Sequence, residues 1–126
     1  MASSLKALLV DDMAVERMVA SAMLRKFHCE ITMAKNGKEA VDMFLEGNEF
    51  DIIVVCDKDM PIMTGPEAVE KIRAMGATGV KIVGVSADDN AMEAFMSAGA
   101  DDFVPKPVRP EILGPMIQDV INRKSN

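Results

Sequence analysis

The sequence predicts a doubly wound α/β fold, one five-stranded parallel sheet with helices on both faces. Three observations carry that prediction. Short apolar runs of strand length alternate five times with segments whose apolar residues recur at helical spacing. The connections between them are short, as in repeated βα units. The runs Leu8-Leu9-Val10-Asp11-Asp12 and Asp51-Ile52-Ile53-Val54-Val55-Cys56-Asp57 both stop at carboxylates, so parallel pairing would gather Asp11, Asp12 and Asp57 at the carboxyl edge of the sheet.

Taken in order, Leu5 to Val10 reads as a buried strand. Val15, Met18, Val19 and Ala22 then repeat at helical spacing, with Asp12 placed to cap that helix. Glu30 to Ala34 is a short second strand. Asn36-Gly37 punctuates before a helix whose Ala40, Val41 and Phe44 form one face. Asp51 to Cys56 is the third strand, expected at the centre of the sheet. Pro61 and Gly65 bound a loop, and Pro66 suits the first turn of a third helix carrying Val69 and Ile72. Val80 to Val85 is the fourth strand, followed by a helix holding Met92 and Phe95 that Gly99 stops. Asp102 to Pro105 make a short fifth strand, and Pro110 opens a last helix running to about Asn122. Gly114-Pro115 predicts a kink or a short lead-in turn there.

The 126 residues read as one domain, 1–126, with its core at about 5–122 and no repeat or linker. Met1 to Ser4 and Arg123 to Asn126 are expected to be loose. The net charge of −6, with no run of Lys or Arg, argues against nucleic acid or an anionic membrane as partner. Protein partners or small ions remain. No segment approaches the ~20 apolar residues of a membrane span, and the N-terminus lacks a signal-peptide pattern. Cys29 and Cys56 are far apart without a paired spacing, which predicts buried thiols rather than a disulfide or metal site. A reducing compartment follows, with a cytoplasmic location expected. Of the 12 methionines, Met18, Met23, Met43 and Met75 are expected to fill helix faces in a core poor in aromatics.

The strand ends carry the chemistry. Asp11-Asp12 follow the first strand, Asp57 the third, Ser86 the fourth and Lys106-Pro107 the fifth, so four strands deliver polar groups to one edge. Clustered carboxylates suit Mg²⁺, which takes oxygen ligands and is usually held by one or two carboxylates together with phosphate. A further carboxylate facing a phosphodonor can act as nucleophile and form an acyl phosphate. Formal charges agree, since Asp11, Asp12 and Asp57 sum to −3 against +3 from Mg²⁺ and Lys106. Phosphorylation removes the Asp57 charge and adds about −2, giving Lys106 and the Ser86 hydroxyl a new anion to bind. Taken singly, Asp12 and Ser86 read equally well as helix caps, Lys106 as a solvated lysine and His28 as a surface residue.

Asp11-Asp12, Asp57 followed by Met60-Pro61 and Gly65, Ser86-Ala87 and Lys106-Pro107 resemble the receiver domain of two-component response regulators, from about Leu5 to Ile121. The resemblance implies a flavodoxin-like (βα)5 sheet of strand order 2-1-3-4-5. It implies that Asp57 accepts a phosphoryl group from the phosphohistidine of a histidine kinase or a histidine-phosphotransfer protein. Asp12 would bind Mg²⁺ directly and Asp11 mostly through water, with the Asp59 backbone carbonyl and Asp57 completing the protein's share. Lys106 and Ser86 would contact the phosphoryl oxygens, and Phe103 would report Ser86 movement as a switch. Lys106-Pro107 would be a cis peptide. Asp59 and Asp88, each two beyond a site residue, would tune the phosphoryl lifetime. Asn36-Gly37-Lys38-Glu39-Ala40 looks similar to plant and hybrid-kinase receivers, and a nucleus becomes a possible location.

Three features depart from that pattern. Thr64 stands where an acid often precedes the loop glycine, and is expected to loosen the turn. Pro105 removes a backbone donor before Lys106, so the fifth strand should end early. The Gly114-Pro115 interruption falls on a surface receivers use for partners. Rival readings are a phosphorylation-independent pseudo-receiver, a haloacid-dehalogenase-type phosphatase built on Asp57, Asp59, Ser86, Lys106 and Asp101-Asp102, and a small flavin carrier. The phosphatase order is wrong because an acid pair precedes Asp57, and Asp11-Asp12 would repel a flavin phosphate. The expectation is therefore a monomeric signalling phosphoacceptor, not a conventional enzyme.

Overall fold

A computed structural model of the chain describes residues 5–88 and 90–125. Met1 to Ser4 and Asn126 lie outside the described residues. The elements are β1 (Leu5–Val10), α1 (Ala14–Lys26), β2 (Cys29–Ala34), α2 (Gly37–Leu45), β3 (Ile52–Cys56), α3 (Gly65–Ala74), β4 (Lys81–Ser86), α4 (Ala91–Ala98), β5 (Asp102–Pro105) and α5 (Pro110–Ser125). All strand pairs are parallel and the order is β2-β1-β3-β4-β5. β3 pairs on both sides and every residue of it is buried, hence its unbroken apolar run.

Side chains alternate across the sheet and build two cores. Leu8, Val10, Ile53, Val55 and Ile82 face one layer with Val41, Val69, Ile72 and Phe95 from α2, α3 and α4. Leu9, Ile52, Val54, Val83, Val85 and Val104 face the other with Leu24 of α1 and Leu113, Ile117 and Val120 of α5. Burying each such side chain contributes roughly 1.5–3 kcal/mol, so neither layer is dispensable. Gly84 is the close-approach point, because a Cβ there would run into the Phe95 ring. Cys29 and Cys56 are free buried thiols, as expected.

Several expectations need correction. The apolar stripe of α1 faces outward: Val15, Met18 and Val19 are 71%, 71% and 62% exposed, and Ala22 is exposed too. The buried residues are Ser21 and Leu24, with Ala20, Met23 and Phe27 packed beside them. Ser21 misleads a reading by polarity, because its hydroxyl donates to Met18 O at 2.9 Å and so enters the core satisfied. Met23 and Met43 pack against the cores, whereas Met18 and Met75 are exposed. Asp12 does not cap α1; the N-cap is Met13, without a side-chain cap.

β2 starts at Cys29 rather than Glu30, β3 at Ile52 rather than Asp51, and β4 covers Lys81–Ser86 rather than Val80 to Val85. Asp51 instead accepts from Lys6 N at 2.8 Å and Lys124 Nζ at 3.0 Å. That tie helps hold α5 helical to Ser125, through residues expected to be loose. α5 is also continuous across Gly114-Pro115. Leu113 and Ile117 anchor it to the sheet on either side, and Gly114 admits the Phe27 ring, which would lie 3.1 Å from a Cβ.

Candidate functional site

β1 delivers Asp11 and Asp12 to the carboxyl edge beside the residue that follows β3. One carboxylate oxygen from each of Asp11, Asp12 and Asp57 lies within 4.8 Å of the others. Asp11 is 1% exposed. Its Oδ1 accepts from Met13 N at 3.0 Å, while Oδ2 is buried with no hydrogen-bond partner. Burial pushes the Asp11 carboxyl up to about 7; the Met13 N–H opposes the rise and the nearby Glu16 and Asp57 charges add to it. A buried carboxylate oxygen left unpaired beside two further carboxylates fits a hard cation or its coordinated water.

Asp57 donates its N–H to Val85 O at 2.7 Å and has φ +91, a left-handed conformation that costs a non-glycine residue of order 1–3 kcal/mol. The loop after it is built to hold that bend. Gly65 N donates to Lys58 O at 2.8 Å, and a Cβ at Gly65 would lie 2.5 Å from Asp57 O, so only glycine fits the crossing. Ile62 also has a positive φ, +74, and is exposed. Thr64 does not loosen the turn. Its hydroxyl accepts from Glu67 N at 3.2 Å while Glu67 accepts from Thr64 N at 3.1 Å, a complete capping box that fixes the start of α3.

From β5, Lys106 Nζ donates to Asp57 Oδ1 at 2.7 Å. Burial pulls the lysine pKa down, but the hydrogen bonds and charges of Asp57 and Glu16 outweigh it and hold Lys106 protonated well above the usual lysine range. Lys106-Pro107 is cis, as expected. The strand ends at Pro105, yet Lys106 N still donates to Ser86 O at 3.0 Å. Backbone N–H groups alternate sides along a strand, so the donor missing at Pro105 is on the open edge and no ladder bond is lost.

Ser86 closes β4 at the same edge, buried, with its Oγ accepting from Asp88 N at 3.0 Å. Asp88 is exposed and pairs with Lys58 at 3.3 Å. Asp59 is exposed in the β3–α3 loop. Phe103 is half-buried, its ring centroid 6.1 Å from that of Phe95, so it bridges β5 to the core beneath the site. His28 is on the surface, as expected, at the turn after α1.

Glu16 is the residue that sequence reasoning missed. Its two carboxylate oxygens lie 3.1 and 3.0 Å from Lys106 Nζ. The signal available was slight, an acid in the first turn of α1, and there the helix dipole already explains an acid. Glu16 also corrects the charge tally: Asp11, Asp12, Asp57 and Glu16 sum to −4 when ionised, against the +3 that Mg²⁺ and Lys106 would supply.

The order 2-1-3-4-5 with an acid–lysine site beyond the strand ends defines a flavodoxin-like α/β protein whose site is at the switch point of its sheet. The family model of the response regulator receiver domain matches residues 7–118, and the chain belongs to that family. It is 58% identical over 123 residues to the two-component response regulator ORR42 of Oryza sativa subsp. japonica, covering 98% of this chain and 92% of that protein. Among solved structures it is similar to the receiver domain of a sensor histidine kinase of Pseudomonas aeruginosa with a magnesium ion coordinated in its active site cleft. The TM-score is 0.84 at 29% identity, over 95% of this chain and 99% of that one. It is also similar to the chemotaxis protein CheY4 of Vibrio cholerae, with TM-score 0.81 and 29% identity over 94% and 99% of the two chains. The protein is thus a two-component signalling receiver, not a member of a conventional enzyme family.

Proposed function

We propose that Asp57 takes a phosphoryl group from the phosphohistidine of a histidine kinase or histidine-phosphotransfer protein, and that the chain itself assists the transfer. The observation that carries this reading is the setting of Asp57: a carboxylate in a strained backbone, 2.7 Å from Lys106 and beside two further acids. An Asp57 oxygen attacks phosphorus, the P–N bond breaks, and its electron pair stays with the departing imidazole. Lys106 follows the charge from the carboxylate onto the phosphoryl oxygens, and Ser86 turns its hydroxyl from Asp88 N toward them. Asp12, Asp11 through water, Asp57 and the Asp59 carbonyl would hold Mg²⁺, supported by the orphaned Asp11 oxygen. When bound, the ion supplies positive charge that lets anionic donor and carboxylates approach.

The donor docks on the outward apolar face of α1. Val15 and Val19 line a cavity of about 420 Å³ together with Asp11, Glu16, Lys106 and Pro107, so a partner seated there is next to the acceptor. Movement of Ser86 then reaches Phe103 and the surface of α4, β5 and α5. A tenfold shift in population needs only ~1.4 kcal/mol of differential interaction. Asp59 and Asp88, two positions beyond Asp57 and Ser86, would tune the phosphoryl lifetime. The protein acts as a monomer in the cytoplasm or nucleus; two free buried thiols support a reducing compartment.

The test is radiolabel transfer from a phosphorylated histidine-phosphotransfer protein, with Mg²⁺ or chelator, to wild type and Asp57→Asn. Base-labile, Mg²⁺-dependent label is expected on wild type alone. Equal labelling of the two chains, or none on folded wild type with either this donor or a small-molecule phosphodonor, overturns the reading.

A further inference from the structure

A lysine ammonium has three N–H donors, and Lys106 has three short carboxylate contacts: Asp57 Oδ1 at 2.7 Å, Glu16 Oε1 at 3.1 Å and Glu16 Oε2 at 3.0 Å. Two of them go to a residue outside the strand-end cluster. Glu16 is not a loose surface acid, because the next residue fixes its turn of α1 to the site: Arg17 Nη1 donates to Asp11 O at 2.7 Å. Glu16, Asp11 and Lys106 also share the walls of one cavity.

We propose that Glu16 is a positioning residue that competes with the phosphoryl group for Lys106, restraining phosphoryl binding while strengthening the pull of the site on its cation. The proposal rests on the phosphoacceptor reading. A phosphoryl group on Asp57 needs donors from Lys106, and Glu16 both occupies them and repels the incoming anion. The same negative charge favours a divalent cation among Asp11, Asp12 and Asp57. Removing it therefore moves the two affinities in opposite directions, whereas losing a brace between α1 and β5 would weaken both or neither.

The experiment titrates folded wild type, Glu16→Gln, Glu16→Ala and Asp57→Asn with Mg²⁺ alone, then with beryllofluoride, a phosphoryl mimic, at saturating Mg²⁺. Glu16→Gln keeps the shape and loses the charge. It is expected to bind Mg²⁺ roughly two- to fivefold more weakly and beryllofluoride roughly three- to tenfold more tightly. Both differences should shrink at high salt, and Glu16→Ala should move in the same directions. Affinities that stay unchanged, or that shift together in one direction, overturn the role of Glu16 while leaving Asp57 as acceptor. Wild type that does not bind beryllofluoride, or Asp57→Asn that binds it equally, overturns the phosphoacceptor reading and this inference with it.

Discussion

Asp11 sits at the balance point of the site, with one carboxylate oxygen bonded to Met13 N–H and the other buried without a partner. Its folded pKa of about 7 is above the ordinary carboxylate value, so in the metal-free chain the charge on Asp11 opposes folding. The favourable contribution of the protonated form is complete below the unfolded value near 4 and is lost as pH rises through 7. Urea unfolding in chelator should therefore show stability rising by about 1–2 kcal/mol as pH falls from 8 to 5.5, above the range in which ordinary carboxylates titrate. Added Mg²⁺ should stabilise the chain most at pH 8 and flatten that profile. A metal-free chain that loses stability between pH 8 and 5.5 would contradict this assignment. Asp11, Asp12, Asp57 and Lys106 were legible because each ends a strand, but Glu16 was not, since its contact spans 90 positions of sequence and its helical spacing marks only a polar face.

Among the elements, α3 owes its start to Thr64 and Glu67, which also close the loop carrying Asp57. Thr64→Ala removes one hydrogen bond of the box and should cost about 1 kcal/mol, read as a lower urea midpoint at unchanged slope. Wild-type stability in that variant would mean the cap contributes nothing. The Pro66 and Gly65 signals placed this helix from sequence, but the box could not be read as a tightening device until the Thr64 hydroxyl and Glu67 carboxylate were seen to reach each other's backbone. α1 shows the opposite case. Its periodicity was right and its phase was wrong, because Ser21 hides a hydroxyl against its own helix and frees Val15, Met18 and Val19 for solvent.

For the whole molecule, that outward phase sets an apolar patch beside Asp11, Glu16 and Lys106 on a chain whose core is already filled from the other face of α1. Val19→Asp should leave stability within about 0.5 kcal/mol of wild type, as expected for an exposed position. Labelling from a small-molecule phosphodonor should be unchanged, while, if the proposed docking on this face holds, transfer from a phosphorylated histidine-phosphotransfer protein should slow at least several-fold, since a charge placed within an apolar interface weakens association. Equal slowing with both donors would place the effect at Asp57 rather than at docking. Phe103 of β5 and Phe95 of α4 lie in the same core, their ring centroids 6.1 Å apart, so β5 and α4 are packed together on one side of the sheet.

The number and order of the elements, and the edge at which the acids and lysine meet, are legible from the residues alone, because strand and helix periods are local and a parallel sheet puts every strand end on one side. Gly65 and the Lys106-Pro107 pair were marked out by the resemblance of their motifs to receiver domains, not by periodicity. Packing of the whole chain sets which face of α1 is buried, carries α5 unbroken through Pro115, and brings Glu16 to Lys106. Those depend on how helices roll against the sheet and which distant side chains then touch, and such packing choices are set by the whole fold rather than by the spacing of neighbours along the chain.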